Sequence, residues 1–180
     1  MMDLSKVILV DEKDSPIGSY GKLAAHQEGL LHRAFSVFIF NNKGEMLLQQ
    51  RALGKYHSGG LWTNACCSHP AEGEEVAAAV HRRLQEEMGF DTEVKKVYDF
   101  VYRAELENGL TEFEFDHVYA GVYEGEICYN TEEVMDYCYK DLKEIKASLI
   151  ARPQDYTAWF QLAFPKVAKW WQHLKANIDL

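Results

Sequence analysis

The chain has 180 residues, 47% of them hydrophobic and 13% aromatic, which fills one core and is short for two. A formal net charge of -9 excludes the broad basic surface that a nucleic-acid binder needs. The opening stretch offers only the apolar run Val7 to Val10, neither a signal-peptide core nor a membrane span. The expectation is a single domain over residues 1-180, cytoplasmic and monomeric, with no nucleic-acid or membrane partner. Cys66, Cys67, Cys128 and Cys138 include an adjacent pair and no CxxC spacing, so free thiols are expected and neither a disulfide framework nor a thiolate zinc site.

In chain order, Val7 to Val10 predicts a strand, Ser15-Pro16-Ile17-Gly18 a turn, and Phe35 to Phe40 a second strand closed by Asn41-Asn42-Lys43-Gly44. Glu45 to Arg51 follows as its hairpin partner. Glu74 to Met88 places Val76, Val80, Leu84 and Met88 at helical spacing, with Gly89 as the stop. Val97 to Val122 is strand-rich and split by a turn at Glu107-Asn108-Gly109. A further strand is predicted near Val134 to Tyr139, then a helix whose Asp141 and Glu144 fit a capping box. The tail repeats apolar residues at helical spacing, and Pro165 is expected to divide it or to begin its second piece. Mixed strands with helices before and after them predict an α/β domain with a sheet layered between helices.

Within the predicted helix region, Glu74, Arg82, Leu84, Glu86, Glu87, Gly89 and Phe90 fall at the spacing of the Nudix signature, and the segment from Ser68 to Phe90 resembles that family. The resemblance implies a Nudix-like mixed β-sheet between α-helices, with carboxylates on a helix face holding a divalent cation that binds a diphosphate. Two positions depart from the signature. Ser68 stands where the family has Gly, and Arg83 stands where its hydrolases place a metal-binding Glu. Residues 83 and 87 lie one helical turn apart, so a guanidinium replaces one carboxylate of a pair. Such a helix suits gripping a diphosphate better than activating a hydrolytic water. Glu74 and Glu86 taken alone read equally well as a solvated, ion-paired face.

Thr63, Asn64, Cys67, His69 and Pro70 sharpen the resemblance to type I isopentenyl diphosphate isomerase, whose T-N-x-x-C-x-H-P motif they match. Segments including YRAE, TEFEFDHVYAG and EEVMDY extend it from about Lys22 to Trp171. The resemblance implies interconversion of isopentenyl and dimethylallyl diphosphate through a tertiary carbocation, the alternative being a Nudix hydrolase of a nucleoside or sugar diphosphate. It assigns proton transfer to Cys67 and to Glu114 with Tyr102, and shielding of the cation to Trp159. A divalent ion (Zn, Mn or Mg) falls to His26, His32, His69, Glu112 and Glu114. A Mg ion bound with the substrate diphosphate falls to Glu87 and the Cys67 carbonyl, and diphosphate contacts to Lys22, Arg51, Lys55 and Arg83.

Glu112 and Glu114 alternate with Phe113 and Phe115 in a predicted strand, so both carboxylates point to one face. Cys66 and Cys67 face opposite ways, and a nearby His or Arg is expected to raise the thiolate fraction of Cys67. Cys66, Cys128 and Cys138 read as small buried hydrophobes, and His57, His81, His117 and His173 as structural or surface residues.

Overall fold

The computed structural model describes residues 3–178. Its elements in chain order are strands β1 (Lys6–Val10) and β2 (Pro16–Gly21), helix α1 (Lys22–Glu28), strands β3 (His32–Phe40), β4 (Met46–Arg51), β5 (Trp62–Asn64) and β6 (Cys66–Ser68), and helix α2 (Val76–Met88). Strands β7 (Val94–Glu105), β8 (Thr111–Val122) and β9 (Val134–Lys140) follow, then helices α3 (Leu142–Ala151) and α4 (Ala158–Ile178). One mixed sheet runs β2-β1-β3-β4-β5, with β6 and β8 also on β3, β7 on β8, and β9 on β4. Only the β3 and β8 ladder is parallel among these pairs, from His32 opposite Glu114 to Phe40 opposite Val122.

Strand β3 explains the layering. Its residues are buried on both faces, so it reads as a near-continuous apolar run. Phe35, Val37 and Ile39 face the layer of Ala79, Val80, Leu84 and Met88 from α2, while Phe38 and Phe40 face Phe160, Phe164 and Trp171 of α4 and Ile145 of α3. Each such ring or branched side chain contributes roughly 1.5–3 kcal/mol on burial. The expected α/β sheet between helices is therefore present. Gly89 ends α2 at φ 74, and a Cβ there would lie 2.1 Å from the Cys128 carbonyl oxygen, so the signature's glycine answers a conformational and a packing demand at once.

Three sequence expectations change. Pro16 begins strand β2 and lies in no turn; the chain reverses at Asp11 to Ser15, where the Asp11 carboxylate accepts from the Lys13 and Ser15 backbone N–H groups and Asp14 has φ 64. Proline fits there because β2 is an edge strand and Pro16 is its first residue. Pro165 lies inside an unbroken α4. It is exposed, so the Gln161 carbonyl deprived of an N–H partner sits on the wetter side of the helix. Of the capping box, Asp141 accepts from the Lys143 N–H at 2.7 Å, with no return bond from Glu144 among the described residues. The seven-residue α1 was not read from the sequence, and it carries two of the site residues.

Candidate active site and metal centre

Helix α1 sets Lys22 and His26 one turn apart, and its αL cap at Gly29 turns the chain so that β3 opens on His32. His26 Nδ1 lies 2.7 Å from the Lys22 carbonyl and His32 Nδ1 2.8 Å from the Leu30 carbonyl. Carbonyls only accept, so both Nδ1 atoms carry the proton and both Nε2 lone pairs are left bare. Both Nε2 atoms are buried without a hydrogen-bond partner. The parallel register sets Glu114 beside His32, with Glu114 Oε1 3.4 Å from His32 Nε2 and 3.0 Å from His69 Nε2. Lone pairs held this close in a dry site call for a shared cation. His26, His32, His69 and Glu114 each offer one donor atom, all within 4.8 Å of one another, which fits a divalent ion with imidazole and carboxylate ligands.

Glu112 lies two residues before Glu114 on the same face of β8, and the Tyr102 hydroxyl lies 2.9 Å from Glu112 Oε2 and 2.6 Å from Glu114 Oε2. Burial and the neighbouring Glu114 charge push the Glu112 carboxyl well up. Burial also works to raise Glu114, but the close approach of His32 and His69 outweighs it and holds that carboxyl well below the usual range. One carboxylate of the pair is thus kept ionised.

Strand β6 pairs antiparallel with β3, setting Cys67 opposite Ser36. The thiol donates to Asn64 Oδ1 at 3.0 Å and its sulfur accepts from the Trp159 indole N–H at 3.0 Å. The Asn64 amide is locked in turn, donating to the Val37 and Cys66 carbonyls at 3.0 and 2.9 Å. Thr63 donates to Asn64 Oδ1, and Thr157 to Thr63. The Thr-Asn pair of the motif therefore aims the thiol. Burial, and after it the buried Asp116, pushes the Cys67 thiol far up, so the expected gain in thiolate is reversed: the sulfur is held as a neutral thiol with a proton to give.

Cys67, Glu112, Glu114 and Trp159 line one cavity together with Lys22, Arg51, Lys55 and Arg83. Arg83 reaches Glu87 at 2.6 Å and Glu133 at 3.3 Å, and Lys55 pairs with Glu133. Gln49 donates to the other Glu87 oxygen at 3.1 Å. Burial and the charges of Lys55, Arg83 and Arg51 lower Lys22 to about 8. The Arg51 guanidinium lies 5.3 Å from the centre of the Trp159 ring. A cationic patch thus adjoins the thiol and the carboxylates.

Glu74 stands outside this cavity. It forms a two-pronged pair with Arg82 at 2.7 and 2.8 Å and accepts from the Ala71 N–H, fixing the entry to α2. Glu86 is exposed and pairs with Arg82 and Arg83. Of the signature's acids, Glu87 alone lines the cavity. His81, His117 and His173 bond to Asp91, Asp14 and the Lys169 carbonyl, as structural or surface residues do. His57, expected to be structural or surface, is buried, lines the cavity, and groups with His26 and Glu112. Burial, then the Arg51 charge, lowers it to about 3. Cys66 is buried against the α2 layer, whereas Cys128 is exposed and no small core residue. Glu133, within the EEVMDY segment, pairs with Lys55 and Arg83 of the cavity lining, a contact between distant segments that no local pattern announces.

The NUDIX domain matches residues 30–160. In shape the chain is similar to a protein of Deinococcus radiodurans (TM-score 0.76, 16% identity, covering 89% of this chain and 98% of that one). It is also similar to the MutT protein of Methanosarcina mazei Go1 (TM-score 0.62, 19% identity, 76% and 91%). Among curated proteins it is 51% identical over 169 residues to isopentenyl-diphosphate Delta-isomerase 2 of Photorhabdus laumondii, covering 91% of this chain and 96% of that protein. It is 49% identical over 176 residues to isopentenyl-diphosphate Delta-isomerase of Pectobacterium atrosepticum, covering 98% of each. With a Nudix fold and this degree of identity along nearly its whole length, the chain belongs to the isopentenyl-diphosphate Delta-isomerase family.

Proposed function

We propose that this protein is an isomerase that interconverts isopentenyl and dimethylallyl diphosphate. The observation that carries the reading is the placement of a protonated thiol, Cys67, and a carboxylate, Glu114, on the wall of one cavity that also holds Lys22, Arg51, Lys55 and Arg83. An acid and a base facing one small ligand, beside cations for its diphosphate, is what moving an isolated double bond requires. In one direction the acid's proton goes to the terminal alkene carbon and leaves positive charge on the tertiary carbon. Loss of a proton from the adjoining methylene to the base then forms the new double bond. No atom is gained or lost, and in reverse the two residues exchange roles.

Cys67 serves one end of this transfer and Glu114, with Tyr102 hydrogen-bonded to it, the other. The Asn64 contact keeps the sulfur pointed, and the Trp159 N–H stabilises it as its proton leaves. Trp159 also lends the cation an aromatic wall. Lys22, Arg51, Lys55 and Arg83 hold the diphosphate, while Glu87 and the Cys67 carbonyl would take a Mg ion bound with it. His26, His32, His69, Glu112 and Glu114 would hold the resident divalent ion (Zn, Mn or Mg), which when bound fixes the Glu114 carboxylate and tunes its basicity.

The proposed substrate is thus a small prenyl diphosphate, handled in the cytoplasm by a single domain of 180 residues acting as a monomer. Among the described residues no helix is long and apolar enough to cross a membrane. The Nudix-hydrolase alternative is weakened by Arg83, whose guanidinium sits against Glu87 where hydrolysis would want a second carboxylate.

The test is deuterium uptake from heavy water into isopentenyl diphosphate, with and without chelator. Uptake that stops on chelation supports the isomerase. Faster phosphate release from nucleoside or sugar diphosphates than deuterium exchange would reverse the conclusion.

A further inference from the structure

The segment Tyr56 to Ser58 lies between β4 and β5, and the peptide that joins His57 to Ser58 is clamped from two directions. Arg51 donates to the His57 carbonyl at 3.2 Å, and the Ser58 N–H donates to the Glu107 carboxylate. Ser58 sits at φ 53, a left-handed conformation that a serine holds only when its surroundings impose it. The effect is to bury His57 to 5% exposure and to direct it into the cavity, stacked on His26 with ring centres 5.6 Å apart. Its Nε2 lies 3.7 Å from Glu112 Oε1, while its Nδ1 is 3.2 Å from the Ser58 hydroxyl. His26, His57 and Glu112 each offer one donor atom, and these lie within 4.8 Å of one another.

We propose that His57 is a further ligand of the divalent-metal centre, closing with Glu112 and His26 a donor set that adjoins the quartet of His26, His32, His69 and Glu114. The inference rests on the reading of the cavity as a metal centre and adds a residue to it. The two sets share His26, whose Nδ1 is committed to the Lys22 carbonyl. A single bare Nε2 serves one ion, so the sets describe one centre with an extra donor and no second ion. Glu112 gives the proposal its second support. In the structure it stands apart from the quartet and has His57 and His26 as its companions. The Ser58 hydroxyl, donating to Nδ1, would leave the Nε2–H facing Glu112; with the hydroxyl accepting instead, Nε2 presents a lone pair to the ion. Coordination selects the second arrangement.

The full chain, stripped with chelator, is titrated with Co²⁺ alone, following both affinity and the visible absorption of the bound ion. His57→Ala is expected to weaken Co²⁺ binding by roughly 10- to 100-fold and to shift the absorption bands of the saturated protein. His57→Gln is expected to shift the bands as well, because an amide oxygen replaces an imidazole nitrogen; it decides the matter if the alanine variant does not fold. A packing role would lower the unfolding midpoint of the metal-free protein and leave the bands in place, which overturns the proposal. His32→Ala is the control. Weakened binding in His32→Ala with unchanged affinity and bands in both His57 variants sinks this inference alone. Unchanged binding in all three sinks the metal centre and this inference with it.

Discussion

The indole N–H of Trp159 donates to the sulfur of Cys67 across 3.0 Å, from the start of the last helix to a short strand 92 positions earlier. The contact gives the tryptophan a task that a plain aromatic wall would lack. Trp159→Phe keeps the ring and loses the donor. The loss of one hydrogen bond to a buried group of rising charge is worth about 1–3 kcal/mol, a fall in turnover of roughly 5- to 150-fold. Steady-state kinetics on the folded variant check it, and a wild-type kcat would leave the N–H without a role.

Cys67→Ala and Glu114→Gln each remove one end of the proton transfer. Both are expected to lose measurable deuterium exchange while retaining affinity for inorganic pyrophosphate, because Lys22, Arg51, Lys55 and Arg83 remain in the cavity. Calorimetric titration with pyrophosphate alongside the exchange assay separates the two properties. Near wild-type turnover in either variant would remove that residue from the reaction.

Arg83→Glu places a carboxylate beside Glu87, in the arrangement of a Nudix hydrolase helix. The variant loses a guanidinium that now pairs with Glu86, Glu87 and Glu133. Weaker diphosphate binding is expected, with the appearance of metal-dependent phosphate release. Substrate affinity equal to wild type would argue against the diphosphate contact.

Lys22 brings a pH dependence. Held at about 8 in the folded protein, against 10.5 for an unperturbed lysine, it loses its charge as pH rises through about 8. Pyrophosphate affinity is therefore expected to fall between pH 7 and 9, and Lys22→Met should remove that part of the decline. The stability effect runs the other way. The folded value is depressed, so the unfolded chain binds more protons between about 8 and 10.5. The stability linked to this group is complete above 10.5 and is lost as pH falls through about 8. Lys22→Met should then raise the unfolding midpoint at pH 7 and gain little near pH 10.5; an equal gain at both would show that Lys22 does not titrate as described.

Much of this cavity was readable because its residues lie in contiguous, periodic segments. The alternation in TEFEFDH put Glu112 and Glu114 on one face, and the helical spacing from Val76 to Met88 put Glu87 inward; ladder and helix then preserve those directions. What escaped the sequence depends on contacts between distant segments. His57 is aimed by Arg51 on one side and by Glu107 from another loop, acting through a strained Ser58, and neither leaves a periodic trace. Helix α1 is too short for its spacing to stand out. The neutral state of Cys67 likewise follows from burial and from Asp116, a neighbour that only the sheet register supplies. Pro165 shows the reverse case, a local breaking signal overridden because helix α4 buries Phe160, Phe164, Val167 and Trp171 on both sides of it.

The parallel seating of β8 on β3 joins His32 to Glu114, and Tyr102 and Asp116 arrive at the site on that same ladder and its partner strand β7. Without that pairing His26 of α1 and Cys67 of β6 would lack Glu114, and α1 itself packs against β8. The site is complete only when a pairing between residues some eighty positions apart has closed, and such long-range parallel closures are among the slower events in folding. A nascent chain that has made only its first half is inert by construction, and on heating, ion release and loss of turnover should arrive together as that seam opens.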